Sequence, residues 1–203
     1  GTIVEATSGN TGMGLAMAAA VYGYKCVCVM SSKQSVDKQN MLKAMGVEVV
    51  VCPAEVGPDD PRSYYSVAKK IAAERPNAIL GNQYDNPANG EAHYRTTGPE
   101  IFDQTDGKVA GFTCSVGSGG TLGGVALALK ERNKNITIGL ADPMGAALFN
   151  YYTKGELKSQ GSSITEGIGQ GRVTKNLDGV VVDRAYRIED SETVEILFRL
   201  IEE

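Results

Sequence analysis

Thr7-Ser8-Gly9-Asn10-Thr11-Gly12 is the stretch on which the reading of this chain turns. It follows the apolar run Thr2–Ala6 and opens an Ala- and Gly-rich run to Tyr22, so it stands where a buried strand gives way to a helix. The first N–H groups of a helix have no partner within it and lie at the positive end of its dipole, which suits an anion. The loop adds hydroxyls and a carboxamide, a mixture fitted to a carboxylate. Gly117-Ser118-Gly119-Gly120-Thr121 stands in the same way between the run Val109–Val116 and the helical run Thr121–Glu131. Its Gly-rich backbone with flanking hydroxyls is fitted to a phosphate. One chain holding both loops points to a phosphorylated cofactor beside an amino-acid-like substrate.

Two better-known phosphate loops do not fit. A Walker A loop needs Lys after its last Gly, where this chain has Val125. The dinucleotide fingerprint fails at Leu122 when started from Gly117 and at Met17 when started from Gly12. No acid follows either loop at the distance a ribose would require.

Short apolar runs alternate along the chain with segments of helical period. Strands are expected at 2–6, 25–30, 47–52, 78–82, 109–116, 136–141 and 180–183, and helices near 11–22, 36–45, 62–74, 90–104, 121–131 and 191–203. Such alternation predicts an α/β fold with mainly parallel sheets and helices on both faces. A boundary near Tyr84 divides residues 1–84, carrying the first loop, from residues 85–203, carrying the second. Ser35 is expected to cap one helix that Gly46 ends, and Asp190 or Ser191 to cap the last. Pro53–Pro61 reads as a surface loop, and 142–172 as irregular chain beyond a strand end, where open α/β sheets keep their ligands.

Charged residues make up 22% of the 203, and the formal net charge is −4, so nothing marks a nucleic-acid or anionic-membrane surface. No apolar run approaches the roughly 18 residues of a membrane span. The expected setting is cytoplasmic. Cys26, Cys28, Cys52 and Cys114 all lie in apolar strand-like runs and read as buried free thiols. No metal site is expected, since the only His, His93, is far from them in sequence.

Five segments occur here in the order they take in one family: Thr7–Gly12, Gln83–Asn89, His93–Ile101, Gly117–Thr121 and Glu166–Gly169. Through nearly its whole length the chain resembles the cysteine synthase and cystathionine β-synthase family of pyridoxal-phosphate (PLP) enzymes, of fold type II. The resemblance implies β-replacement on an activated serine by sulfide or a thiol, in a homodimer whose first domain is smaller and mobile. Thr7, Ser8, Gly9 and Thr11 with Gln83 would hold the substrate carboxylate. Asn10 would contact the ring oxygen of PLP, although by its chemistry alone it could equally cap a helix. Gly117, Ser118, Gly119, Gly120 and Thr121 would cradle the phosphate, Ser118 replacing the family's commoner Thr. Gly167 and Ile168 would line the cofactor face, though Gln170-Gly171-Arg172 departs from the family pattern. His93 matches a position the family does not use in catalysis and reads as structural. The family's catalytic lysine lies in a Ser-x-Lys-Asp-Arg-like motif ahead of the first loop. None of the twelve lysines here stands in such a motif, Val36-Asp37-Lys38-Gln39 on an exposed-looking helix being nearest in composition. The catalytic residue is thus unassigned, and the chain is expected to be part of a longer one and inactive alone. The resemblance implies a cysteine synthase for the longer one, with a cystathionine β-synthase or a non-catalytic fragment as the alternatives. Threonine dehydratases share the fold, but Asn10 and Gln83 favour β-replacement.

Overall fold

The computed structural model describes residues 1–57 and 59–203, and Pro58, within the expected 53–61 loop, lies outside the described residues. The chain divides into two compact units, Gly1–Gln83 and Tyr84–Glu203.

The first unit runs β1 (Thr2–Ala6), α1 (Asn10–Tyr22), β2 (Lys25–Ser31), α2 (Val36–Ala44), β3 (Glu48–Cys52), α3 (Tyr64–Glu74) and β4 (Ala78–Leu80). Its four strands are all parallel, in the order β3-β2-β1-β4. Side chains alternate across β2: Cys26, Cys28 and Met30 pack with Ala16 and Ala19 of α1 and Leu42 of α2, whereas Val27 and Val29 pack with Val4, Ala6 and Ala68 of α3. The sheet is therefore covered on both faces, as its near-continuous apolar strands require. From β1 the chain proceeds to β2 on one side, and β4 lies on the other. The order thus reverses at the C-terminal ends of β1 and β4, the place where open α/β sheets leave a crevice. Ser35 is the N-cap of α2, its hydroxyl accepting from Lys38 N. All four thiols are free, with Cys114 only partly buried.

The second unit runs α4 (Pro87–Arg95), α5 (Thr97–Gln104), β5 (Gly111–Cys114), α6 (Gly120–Arg132), β6 (Thr137–Pro143), α7 (Leu148–Lys154), a 3-10 turn at Lys175–Leu177, β7 (Arg184–Ile188) and α8 (Asp190–Glu202). Strands β5, β6 and β7 form a parallel sheet in that order. Its core gathers Val116, Leu122, Val125, Leu129, Ile138 and Leu140.

Four local expectations are corrected. The helix expected over 90–104 is two helices, because the backbone breaks at Thr96 (φ −122°, ψ −73°), whose hydroxyl donates to Ala92 O. The strand expected at 180–183 lies instead at Arg184–Ile188. Asp183 ends the approach to it by accepting Ile138 N at 2.7 Å and pairing with Lys130 at 2.8 Å. Within the stretch expected to be irregular, α7 forms because buried Asp142 accepts Phe149 N at its start. The last helix is capped by Glu189, in a reciprocal box with Glu192, and not by Asp190 or Ser191.

Candidate functional site

In the first unit the loop after β1 is organised by the buried hydroxyl of Thr7. Its oxygen accepts Gly9 N at 3.0 Å and Gly12 N at 3.3 Å, while Thr7 N donates to Val29 O. The turn is this tight because residue 12 has no side chain: a Cβ there would lie 2.8 Å from Cys28 Sγ and 2.9 Å from Thr7 Cγ2. Thr11 and Gln83 meet although they are distant in sequence. Thr11 Oγ1 donates to Gln83 Oε1 at 2.7 Å, and Gln83 Nε2 donates to Ala6 O at 2.7 Å. Among the described residues, no acceptor is recorded for the N–H groups of Ser8, Asn10 and Thr11. Thr7, Ser8, Gly9, Thr11 and Gln83 therefore form one cluster at the reversal of strand order. The cluster presents hydroxyls and unpaired N–H groups, as a carboxylate would need. The N-cap of α1 is Gly9 with no side-chain bond, so Asn10 caps nothing and its side chain is exposed. Lys38 is half-buried on a helix whose Val36, Asp37, Asn40 and Met41 are exposed, and a Cβ on Gly9 would lie 3.3 Å from its Cδ.

Sequence reasoning passed over Glu5, a carboxylate buried in β1 at 1% exposure. Its Oε1 accepts Gln83 N at 3.3 Å, and its Oε2 has no hydrogen-bond partner. Burial pushes its pKa up to about 7 from 4.5, against bonds from Gln83, Ala6 and Asn82 that lower it. The signal was available: a charged residue in the centre of an otherwise apolar parallel strand is costly unless it has a task.

In the second unit the loop 117–121 has its carbonyls turned inward and tied down. Val116 O accepts Gly169 N at 2.8 Å, and Gly117 O accepts Gln170 Nε2 at 2.9 Å. Ser118 O accepts both Thr174 Oγ1 at 2.7 Å and Asn176 Nδ2 at 3.0 Å. Asn89 Nδ2 donates to Ser118 Oγ at 2.8 Å. Gly119 sits in the left-handed region at φ +86°, where a side chain would be strained and would meet Leu177 Cγ at 2.8 Å. With the carbonyls engaged, the N–H groups of residues 117–121 have no acceptor recorded among the described residues and stand at the opening of α6. That is the donor set of a phosphate cradle. The loop from Gly167 to Gly169 lies against it, Gly167 O filling the space beside Gly117, while Ile168 stays 37% exposed. The anchors Asn89, Gln170, Thr174 and Asn176 were not singled out from sequence. Gln170, seen there only as a departure from a family pattern, holds the loop.

No helix among the described residues is long and apolar enough to cross a membrane, and none of their His, Cys, Asp and Glu side chains cluster as a metal site would need.

Residues 1–203 match the family model described as pyridoxal-phosphate dependent enzyme. Cysteine synthase 1 of Emericella nidulans is 46% identical over 100% of this chain and 56% of its own length. The cystathionine beta-synthase of Apis mellifera is 42% identical over 98% of this chain and 39% of its own. Among solved structures, an O-acetylserine dependent cystathionine beta-synthase from Helicobacter pylori superposes with a TM-score of 0.88 at 30% identity, covering 99% of this chain and 62% of the other. A hydrogen sulfide-producing enzyme from Fusobacterium nucleatum gives 0.87 at 32% identity, covering 98% and 64%. The chain spans about half the length of the cysteine synthases it matches.

Proposed function

The chain belongs to the family of pyridoxal-phosphate-dependent enzymes, and from that premise we propose that the protein makes cysteine by β-replacement on an activated serine, with O-acetylserine and sulfide as its substrates. The observation that carries the reading is the loop 117–121, whose carbonyls are anchored from behind so that its N–H groups are left for an anion. Bound there by its phosphate, PLP would supply the electron sink for a substrate that loses its Cα proton.

The chain's own residues are given the remaining tasks. The N–H groups and hydroxyls of Thr7–Thr11, with the carboxamide of Gln83 beside them, would hold the substrate carboxylate and fix its Cα. The exposed carboxamide of Asn10 would donate to the ring oxygen of the cofactor, the role left open once the structure assigns it no capping bond. Gly167 and Ile168 would line the cofactor's face. A lysine must hold the cofactor and move the Cα proton, and we assign that task to none of the lysines in residues 1–203. The reading extends to a cytoplasmic homodimer whose first unit moves over the substrate.

A second reading has a thiol such as homocysteine in place of sulfide. The Helicobacter pylori structure, named for an O-acetylserine dependent cystathionine beta-synthase, favours it. PLP-loaded protein given O-acetylserine with sulfide should yield cysteine, and with homocysteine in parallel would yield cystathionine if the second reading holds. Mass spectrometry that finds neither product would overturn both.

Asn10→Ala tests whether that residue acts on the ring oxygen or only anchors the cofactor. Losing a hydrogen bond to a charged oxygen costs about 1.5–3 kcal/mol, so turnover is expected to fall roughly tenfold to hundredfold. Affinity for PLP should change by less than about threefold, because the phosphate loop is untouched. Unchanged turnover per bound cofactor, with collapsed cofactor occupancy, would make Asn10 a simple anchor.

A further inference from the structure

His93 belongs to neither loop, yet both of its ring nitrogens are engaged. Nδ1 lies 2.9 Å from Thr97 Oγ1, and Nε2 lies 3.2 Å from Thr121 Oγ1, the last residue of the 117–121 loop. The ring reaches Thr121 because α4 and α6 touch backbone to side chain. A Cβ on Gly124 would overlap the Gly90 carbonyl oxygen and lie 2.7 Å from His93 Cβ. Bare glycine in α6 thus seats the imidazole one turn from the loop.

A neutral imidazole donates from one nitrogen and accepts at the other, so the two contacts admit two arrangements. If Nδ1 carries the proton, Nε2 must accept from the Thr121 hydroxyl, whose proton then points at the ring while its lone pairs face outward. An anion at the loop would be repelled by that oxygen. If Nε2 carries the proton, it donates to Thr121 Oγ1, Nδ1 accepts from the Thr97 hydroxyl, and the Thr121 proton is released to face outward. Only the second arrangement serves an anion.

We propose that His93 is a positioning residue of the phosphate cradle: the chain of bonds from Thr97 Oγ1 through the Nε2–H tautomer of His93 to Thr121 Oγ1 aims the Thr121 hydroxyl at the cofactor phosphate. The proposal rests on reading 117–121 as that cradle. Burial holds the pKa of His93 below its ordinary 6.5, which keeps the ring neutral as the relay requires. The charged groups of α4, Glu91 and Arg95, are paired with one another and leave the ring to the two threonines.

This chain has one histidine, so protein grown with labelled histidine gives a single imidazole spectrum. With PLP bound, long-range proton–nitrogen correlations should show the Nε2–H tautomer. His93→Gln can place an amide N–H near the position of Nε2–H, whereas the shorter His93→Asn cannot reach it. His93→Gln should hold PLP within about threefold of the parent, and His93→Asn should weaken it about tenfold, as should Thr121→Val. Thermal unfolding of the two His93 variants should differ little, which separates aiming from packing. The Nδ1–H tautomer in the loaded protein, or Gln and Asn variants with equal PLP affinity, would overturn the proposal while leaving the cradle intact. A parent protein that takes up no PLP would overturn the cradle reading and the proposal with it.

Discussion

Glu5→Gln is expected to stabilise the protein near pH 8 by on the order of 3 kcal/mol and to change it little near pH 4.5. Glu5 is fully enclosed in β1, and burial raises its pKa to about 7 from 4.5. Below the lower value the carboxyl is protonated in both folded and unfolded chains. Between the two values the unfolded chain has released its proton and the folded chain still holds it, so stability falls as pH rises. Above about 7 both are ionised and the loss is complete. The groups facing Glu5 from β2 are the thiols of Cys26 and Cys28, which provide no compensating positive charge. Glutamine keeps an oxygen to accept Gln83 N and never ionises, so its urea-unfolding free energy should lack this slope. Parallel pH profiles for the two proteins would show that Glu5 pairs with a group that accommodates its charge. Because Glu5 also holds the backbone of Gln83, the same substitution tests how far the carboxylate cluster depends on it.

Much of this molecule was legible because its information is local. Both loops are strand-to-helix turns, announced by apolar runs ending in Gly, Ser and Thr, and the parallel α/β class follows from strands that are apolar on both faces. What was missed depends on contacts distant in sequence. The run Val180–Asp183 reads as a strand by composition, yet Asp183 is drawn to Lys130 and Ile138 N, and pairing with β6 takes up Arg184–Ile188 instead. The start of α7 depends on Asp142, a buried side chain from the preceding strand that no helix pattern reveals. The loop residues of both candidate sites are short motifs with a chemical sense of their own. Gln170, Thr174 and Asn176 act through their amide and hydroxyl bonds to carbonyls more than fifty residues away. Only the fold makes them neighbours of the loop.

The second large effect is expected where α4 and α6 meet. Gly124→Ala should destabilise the protein by about 3 kcal/mol, at the upper end of the cost of overpacking. The added Cβ would overlap Gly90 O and lie 2.8 Å from Tyr94 N, and these are backbone atoms of α4 that no rotamer change can move aside. The helices must separate. That shift also draws His93 from Thr121, so PLP affinity should fall with stability. Gly14→Ala is the matched control, in the exposed interior of α1 with nothing within 4 Å of the new Cβ. Alanine there should stabilise by roughly 0.5–1 kcal/mol, since it restricts the unfolded chain and meets no obstacle. Urea unfolding of both variants decides the matter. If Gly124→Ala unfolds within about 0.5 kcal/mol of the parent, the scale of a neutral surface change, α4 and α6 do not meet as described. If both substitutions destabilise equally, the cost belongs to glycine loss in general and not to this contact.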